Sequence, residues 1–250
     1  DRALSVEVHG NQLAVAGIID RELQVPRTIT SSLVSGENVF LLWFAADSGA
    51  AAAQTWSVSG PKADTVGGLG LDSAGNAVIV GSFEGSVKFG LPSELPTPLN
   101  TPRSGYAVSF KSDRAPRWVR MIQGKGVALH AVARRPGAQA QLQVLGTFDT
   151  ELEVHKSTYP ASGGGQDGFT LALDETTGAI ATAPPLALVQ GGTVLVEDGA
   201  FGAQGDLLIL GSYKGSGPFG LASTTEQTPF LASVDLQSQT LRWVTSAQAS

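Results

Sequence analysis

His9, His130 and His155 are the only imidazoles in the chain, and none has a second His or a close carboxylate at the spacing of a metal site such as His-x-x-x-His. His130 falls in a predicted innermost strand, where a side chain faces a central channel, which makes it the best placed of the three to touch a ligand. Glu7, Glu197 and Asp198 fall near strands of the same kind and would line that channel as a cation site or a carboxylate pair. Their other reading is ordinary solvation of strand ends. A second candidate is electrostatic. Half of the 16 basic residues crowd into one stretch, Arg103, Lys111, Arg114, Arg117, Arg120, Lys125, Arg134 and Arg135, with Asp113 the only acid among them. Arg114, Arg117 and Arg120 form its centre and would bind an acidic polysaccharide or acidic partner, if they are more than the solvated face of an outer strand.

Other chemistry is excluded by the residues. Asp72 to Asn76 has the composition of a calcium loop without its alternating oxygen ligands or distal Glu, and reads as a hairpin turn. The segment Ser162-Gly163-Gly164-Gly165-Gln166-Asp167-Gly168 joins no strand to a helix and has no Lys-Ser or Lys-Thr, so it is a flexible loop and not a phosphate cradle. There is no Gly-x-Ser-x-Gly elbow and no Cys. No catalytic set, metal site or cofactor motif emerges. The net charge of −6 argues against nucleic acid as a partner. No apolar run reaches the roughly 18 residues of a membrane span, the nearest, Val39 to Ala53, being broken by Asp47 and Ser48. The chain opens on Asp1 without an initiator Met or signal-like segment, which reads as a processed or trimmed end.

The elements that must position these residues come from a repeat. Gly17, Gly81, Gly146 and Gly211, spaced 64, 65 and 65 residues apart, each close an apolar run, with Ile19, Phe83, Phe148 or Tyr213 two places later. Residues 81–91 and 211–221 share seven of eleven identities. The unit around Gly81 reads as four strands: Val66 to Leu71, Ala77 to Phe83, Tyr106 to Lys111 and Arg117 to Ile122. The second strand is apolar at consecutive positions, which calls for burial on both faces. The recurring Gly suits a bulge or a close approach of the next sheet's backbone. Third strands recur at Val39 to Ala46, Phe169 to Leu173 and Phe230 to Val234, leading to Asp47, Asp174 and Asp235. Fourth strands carry Trp56, Trp118 and Trp243, read as core residues. The third repeat has Thr182 in place of Trp and then Pro184-Pro185, which predicts a weak edge strand. The connections Leu91 to Arg103 and Lys156 to Gln166 are expected to project as loops.

Sheets of this kind arranged radially make an all-β β-propeller, with blades at about 4–62, 63–125, 126–192 and 193–250 in one domain, closed as a ring of four or forming a segment of a larger propeller. The pattern Asp72-x-x-Gly75-Asn76, apolar strand, Gly81-x-Phe83, Phe89-Gly90, apolar third strand and Trp118 resembles the bacterial β-propeller repeat of SBBP type. Leu173-Asp174-Glu175-Thr176-Thr177-Gly178, and Val234-Asp235 through Arg242-Trp243, are similar to the blade-docking motif of quinoprotein propellers, whose Trp packs between adjacent blades. That likeness implies blade packing and carries no cofactor, because no quinone-binding set is recognisable. The expectation is therefore a non-enzymatic binding or scaffold module of a bacterial envelope or extracellular protein, periplasmic, surface-bound or secreted, holding a protein or polysaccharide. The alternatives are a small propeller enzyme acting on carbohydrate and a subunit of a multi-chain assembly. Gly81→Val is expected to destabilise the fold far more than Arg117→Ala.

Overall fold

Each repeat contributes four strands to one of four antiparallel sheets. They are seen in a computed structural model that describes residues 2–19, 22–24, 28–30, 38–58, 64–85, 87, 89, 103–111, 116–137, 140–162, 165–182, 184–188 and 192–247. Sheet I contains β1 (Arg2–His9) and β2 (Gln12–Ile19). After a separate hairpin of β3 (Glu22–Gln24) and β4 (Thr28–Thr30), it continues with β5 (Asn38–Ala45) and β6 (Ala51–Val58). Sheet II is β7 (Asp64–Leu71), β8 (Ala77–Phe83), β9 (Ser104–Phe110) and β10 (Pro116–Lys125). Sheet III begins with β11 (Ala128–Arg134) and β12 (Gln141–Phe148). The chain then leaves to form the hairpin β13 (Glu151–Val154) and β14 (Ser157–Pro160), and returns as β15 (Asp167–Asp174) and β16 (Leu186–Ala187). Sheet IV is β17 (Gly192–Phe201), β18 (Leu207–Gly215), β19 (Thr224–Asp235) and β20 (Thr240–Ser246). Among the described residues the one helical turn is the 3-10 segment Pro218–Gly220.

The recurring glycines occupy one register. Gly17, Gly81, Gly146 and Gly211 lie opposite Phe40, Tyr106, Phe169 and Phe230 of the third strands. A Cβ on Gly17, Gly146 or Gly211 would come 2.6 to 3.0 Å from that ring and one on Gly81 2.8 Å from the Tyr106 hydroxyl, each closer still to the carbonyl oxygen of Arg2, Ala128, Leu195 or Thr65. The approach expected from the next sheet's backbone is thus made within the sheet, by an aromatic ring laid across the bare Cα and by the first strand's carbonyl. The bulge is also there, but on the facing strand: pairing shifts between Ala3 and Ser5, Val66 and Gly68, Leu129 and Ala131, and Val196 and Asp198. The skipped residues are Leu4, Gly67, His130 and Glu197.

Consecutive sheets stack face to face, with β7 against β1, β11 against β7 and β17 against β11. Ala14, Ala16, Leu41 and Trp43 of sheet I pack on Ile79, Tyr106, Val108 and Phe110 of sheet II. Val78, Val80, Ala107 and Trp118 pack on Leu142, Val144, Phe169 and Leu171 of sheet III, and Ala131 and Leu145 on Ile209 and Phe230 of sheet IV. Burial on both faces is complete in β8 and β9, as their unbroken apolar runs require. In β18 it alternates, one face of sheet IV having no neighbouring sheet among the described residues. The close packing that links the other first strands is absent between β17 and β1 among the described residues.

Three expectations change. The connection from Lys156 to Gln166 does not simply project as a loop: it opens with β14, which pairs with β13 across a tight turn at His155 and Lys156, both at positive φ, and β13 pairs with β10, which makes sheet II six-stranded. Trp56 lies opposite Leu41, whereas Trp118 lies opposite Ser109 and Trp243 opposite Ser233, so Trp56 is two positions out of their register and its side chain is outside the described residues. Trp43 instead serves the joint between sheets I and II, edge-on to Phe110 at 6.3 Å. Trp243 is not a core residue, being 44% exposed. The weak outer strand of the third repeat is seen as the two-residue β16 and a single bridge from Leu173 to Ile180. Asp113 and residues 91–102 lie outside the described residues.

Candidate functional site

β1, β7, β11 and β17 converge on one depression that runs along their length. At the bulge end it encloses about 500 Å³, with Leu4, Gly67, His130 and Glu197 in its wall. These are the four skipped residues, so each sheet presents its bulge to the same space. Towards the hairpin end it continues for about 600 Å³ beside His9, Asp72 and Arg134, and Glu7 lines both stretches. The structure therefore brings His130 together with Glu7, Glu197 and Asp198. Among the described residues no three His, Asp or Glu side chains gather closely enough to hold a metal ion. Nor is any helix long and apolar enough to cross a membrane.

The chemistry of this wall follows from its surroundings. Burial, and secondarily the charge of Asp198, raise the pKa of Glu7 above the usual carboxylate value. Burial and then the Arg103 guanidinium lower that of His130, whose Nε2 is 3.0 Å from Thr147 Oγ1. His130 is thus a neutral hydrogen-bonding group at pH 7 and brings no positive charge. His9 stands at the other end with its ring over Gly75, and His155 is turned away, its Nε2 2.8 Å from the Ala181 carbonyl oxygen.

The basic stretch is occupied by the protein itself. Arg117 Nη1 is 2.5 Å from Asp72 Oδ2, and Asp72 Oδ1 accepts from the amides of Ala74 and Asn76 at 2.9 and 2.8 Å. Asp72 thereby ties its own hairpin turn to the far strand of sheet II. Arg120 donates from Nε to the Gly178 carbonyl (2.7 Å) and from Nη2 to that of Thr177 (3.2 Å), both in the β15 turn of sheet III. Trp118 lies over Gly178 and donates from Nε1 to the Glu175 carbonyl at 3.1 Å. Glu175, nearly fully buried, meets Ser73 Oγ and Arg134 Nε. Lys125 pairs with Glu151 at 3.0 Å, and Arg135 reaches Gln141. Arg120 accordingly pins sheet II to sheet III, Arg117 chiefly ties two parts of sheet II and reaches the Thr176 carbonyl of sheet III at 3.5 Å, and Arg114 lies outside the described residues, as do Gly163 and Gly164.

This changes what Arg117→Ala should do. The Asp72 side chain is 2% exposed, so losing the guanidinium leaves a buried carboxylate without its counter-charge. The loss is expected to be about 3 kcal/mol, read from urea unfolding midpoints, while Arg120→Ala, which removes only bonds to turn carbonyls, should cost about 1 kcal/mol. Equal, negligible losses in both would deny the pinning role.

Sequence reasoning missed the bulge as the device that aims residues at the depression. Its four positions carry Leu, Gly, His and Glu, so no residue type marks them. The only signal is their constant place opposite and just beyond the repeat glycines. No protein-family model and no curated protein sequence matches this chain.

Proposed function

We propose that the four sheets are consecutive blades of a β-propeller related to the SBBP-type repeats, and that the chain is a non-enzymatic binding module of a bacterial envelope or extracellular protein, holding its partner at the central depression. The observation that carries this reading is the convergence of all four first strands, each through its bulge, on one open space lined by Glu7, Glu197, Asp198 and the neutral His130. Fold alone does not give function, but a rigid scaffold that aims four bulges at one cavity is suited to recognition. With the arginines engaged in joints between sheets and carboxylates at the mouth, the site favours a partner bearing amine or guanidinium groups, such as a protein segment, over an acidic polysaccharide.

Calorimetric titration with a Lys/Arg-rich peptide, a neutral glycan and an acidic glycan at low and moderate salt tests this. Salt-sensitive capture of the basic peptide, weakened about tenfold or more by the double change Glu197→Gln with Asp198→Asn, is the expected result. Capture of the acidic glycan alone, or peptide binding untouched by those changes, would overturn it. A second reading is favoured by Glu7, a carboxyl with a raised pKa beside the carboxylate of Asp198, which is the pairing an acid and base use on glycosidic bonds. Turnover of a glycan that disappears in Glu7→Gln would replace binding with catalysis.

A further inference from the structure

We propose that the joint between sheets III and IV holds a second ligand site, a cleft that takes one small carboxylate bearing several hydroxyls, the size of a single sugar acid. This goes beyond the binding reading and shares no lining residue with the central depression.

The cleft exists because sheet III is finished differently from sheet II. In sheet II, Trp118 stands opposite Ser109, and Val78, Ala107 and Trp118 bury against sheet III. Counted from the repeat glycine and the aromatic opposite it, the positions of Val78 and Ala107 are held in sheet III by Gln143 and Thr170. Ala181 takes the place of Trp118, its amide donating to the Ala172 carbonyl at 2.8 Å. Pairing then stops, to resume with Leu186 opposite Thr170. Pro184 and Pro185 come just before and have no N–H to offer the ladder, so the interruption is written into the sequence. Where an indole fills one joint, the next keeps a space of about 160 Å³, with Gln143, Thr170 and Leu186 on one side and Leu236 and Gln239 of the sheet IV turn on the other.

A gap left only by a lost indole would keep apolar walls, as Val78 and Ala107 do. This one has a polar floor. Gln143 and Thr170 are 5% and 1% exposed, and Gln143 Nε2 donates to Thr170 Oγ1 at 2.5 Å. Among the described residues neither side chain makes another hydrogen bond. The amide oxygen of Gln143 and the hydroxyl proton of Thr170 are thus left over, and groups so deeply placed are costly unless they are paired. At the mouth, half-buried Arg135 donates from Nη1 to Gln141 Oε1 at a long 3.4 Å. Arg117, Lys125, Arg134 and Arg242 each have a carboxylate, whereas Arg135 has none among the described residues, and no Asp or Glu stands among the described lining residues.

The cleft therefore offers one uncompensated guanidinium, amides and a hydroxyl that both donate and accept, and aliphatic walls in Leu186 and Leu236. A carboxylate meets the guanidinium, hydroxyls meet the amides, and a carbon ring lies on the leucines. The volume is about that which accepts one six-membered ring.

Glucuronate, glucose and benzoate, titrated into the isotope-labelled chain and followed by the amide signals in nuclear magnetic resonance, test this. Glucuronate should bind saturably and move the side-chain amide signal of Gln143. Glucose, without the carboxylate, and benzoate, without the hydroxyls, should each bind about tenfold more weakly or worse. Arg135→Gln should bring glucuronate down to the level of glucose. The double change Gln143→Val with Thr170→Ala restores the apolar pair of sheet II and removes both hydrogen-bond partners together, so the urea midpoint should hold while glucuronate binding is lost. If that variant unfolds, Arg135→Gln decides alone. No saturable binding of glucuronate, equal affinity for glucose or benzoate, or binding unchanged by Arg135→Gln would overturn the proposal. So would loss of glucuronate binding on changing Glu197→Gln with Asp198→Asn, because the ligand would then sit in the depression. Failure of the basic peptide to bind a chain that takes glucuronate would overturn only the binding reading.

Discussion

Gly81→Val is expected to cost more than about 4 kcal/mol, at the far end of what single substitutions do. The new Cβ would come 2.8 Å from Tyr106 Oη and still closer to the Thr65 carbonyl oxygen, and Val adds two methyl groups beyond it. Neither neighbour can retreat. Tyr106 is fully buried and its hydroxyl donates to that same Thr65 carbonyl at 2.9 Å, locking ring and bulge together over the glycine. Relief requires moving β7, which lines the depression and packs against both β1 and β11. A urea midpoint below that of Arg117→Ala is the check; a midpoint at or above it would mean that the glycine is not covered. The margin over Arg117→Ala is narrower than charge on an outer strand suggests, because Arg117 neutralises a buried carboxylate.

Much of this architecture was legible because it is local. β8 runs from Ala77 to Phe83, the bounds of its apolar run, and the Asp72 to Asn76 turn is closed by the side chains its composition advertises. Pro184 and Pro185 forecast the shrunken β16. What escaped depends on partners far away in the chain. Leu152 and Val154 alternate with Glu151 and Glu153, a readable strand pattern, but nothing local says that it pairs with β10 of the preceding sheet. The arginines read as a surface because their acceptors, the carbonyls of residues 176 to 178, have no sequence signature. Trp243 read as core because it repeats Trp118, yet burial needs a neighbouring sheet. At the site, His130 and the three acids were singled out, while the bulge that unites them carries no residue pattern.

Asp64→Asn is expected to stabilise the protein by about 4 kcal/mol at pH 8 and to do little at pH 4. Asp64 opens β7, is fully buried, and has no hydrogen-bond partner for either carboxylate oxygen among the described residues. Burial pushes its pKa from 3.8 up to about 7. Between those values the folded chain holds a proton that the unfolded chain releases. The penalty is therefore absent below about pH 4, grows as pH rises towards 7, and stays level above it. The amide has the shape of the protonated acid and never ionises. Thermal unfolding of both proteins from pH 4 to pH 8 should show curves that start together and separate. Parallel curves would mean that Asp64 has a charge partner.

The hairpin β13–β14 belongs by sequence to the third repeat and by hydrogen bonding to the second sheet. In an array whose units touch only through their faces, each unit can open with a modest loss. Here opening sheet III also strips two strands from sheet II, with Leu152 and Val154, both buried in the core between the sheets. The middle of the molecule is thereby a single cooperative unit, whose amides should exchange with solvent together and last. The hairpin also moves the free margin of sheet II outward from β10 to β14, four mostly exposed residues ending in Pro160, a margin too short and too interrupted to recruit a stray strand.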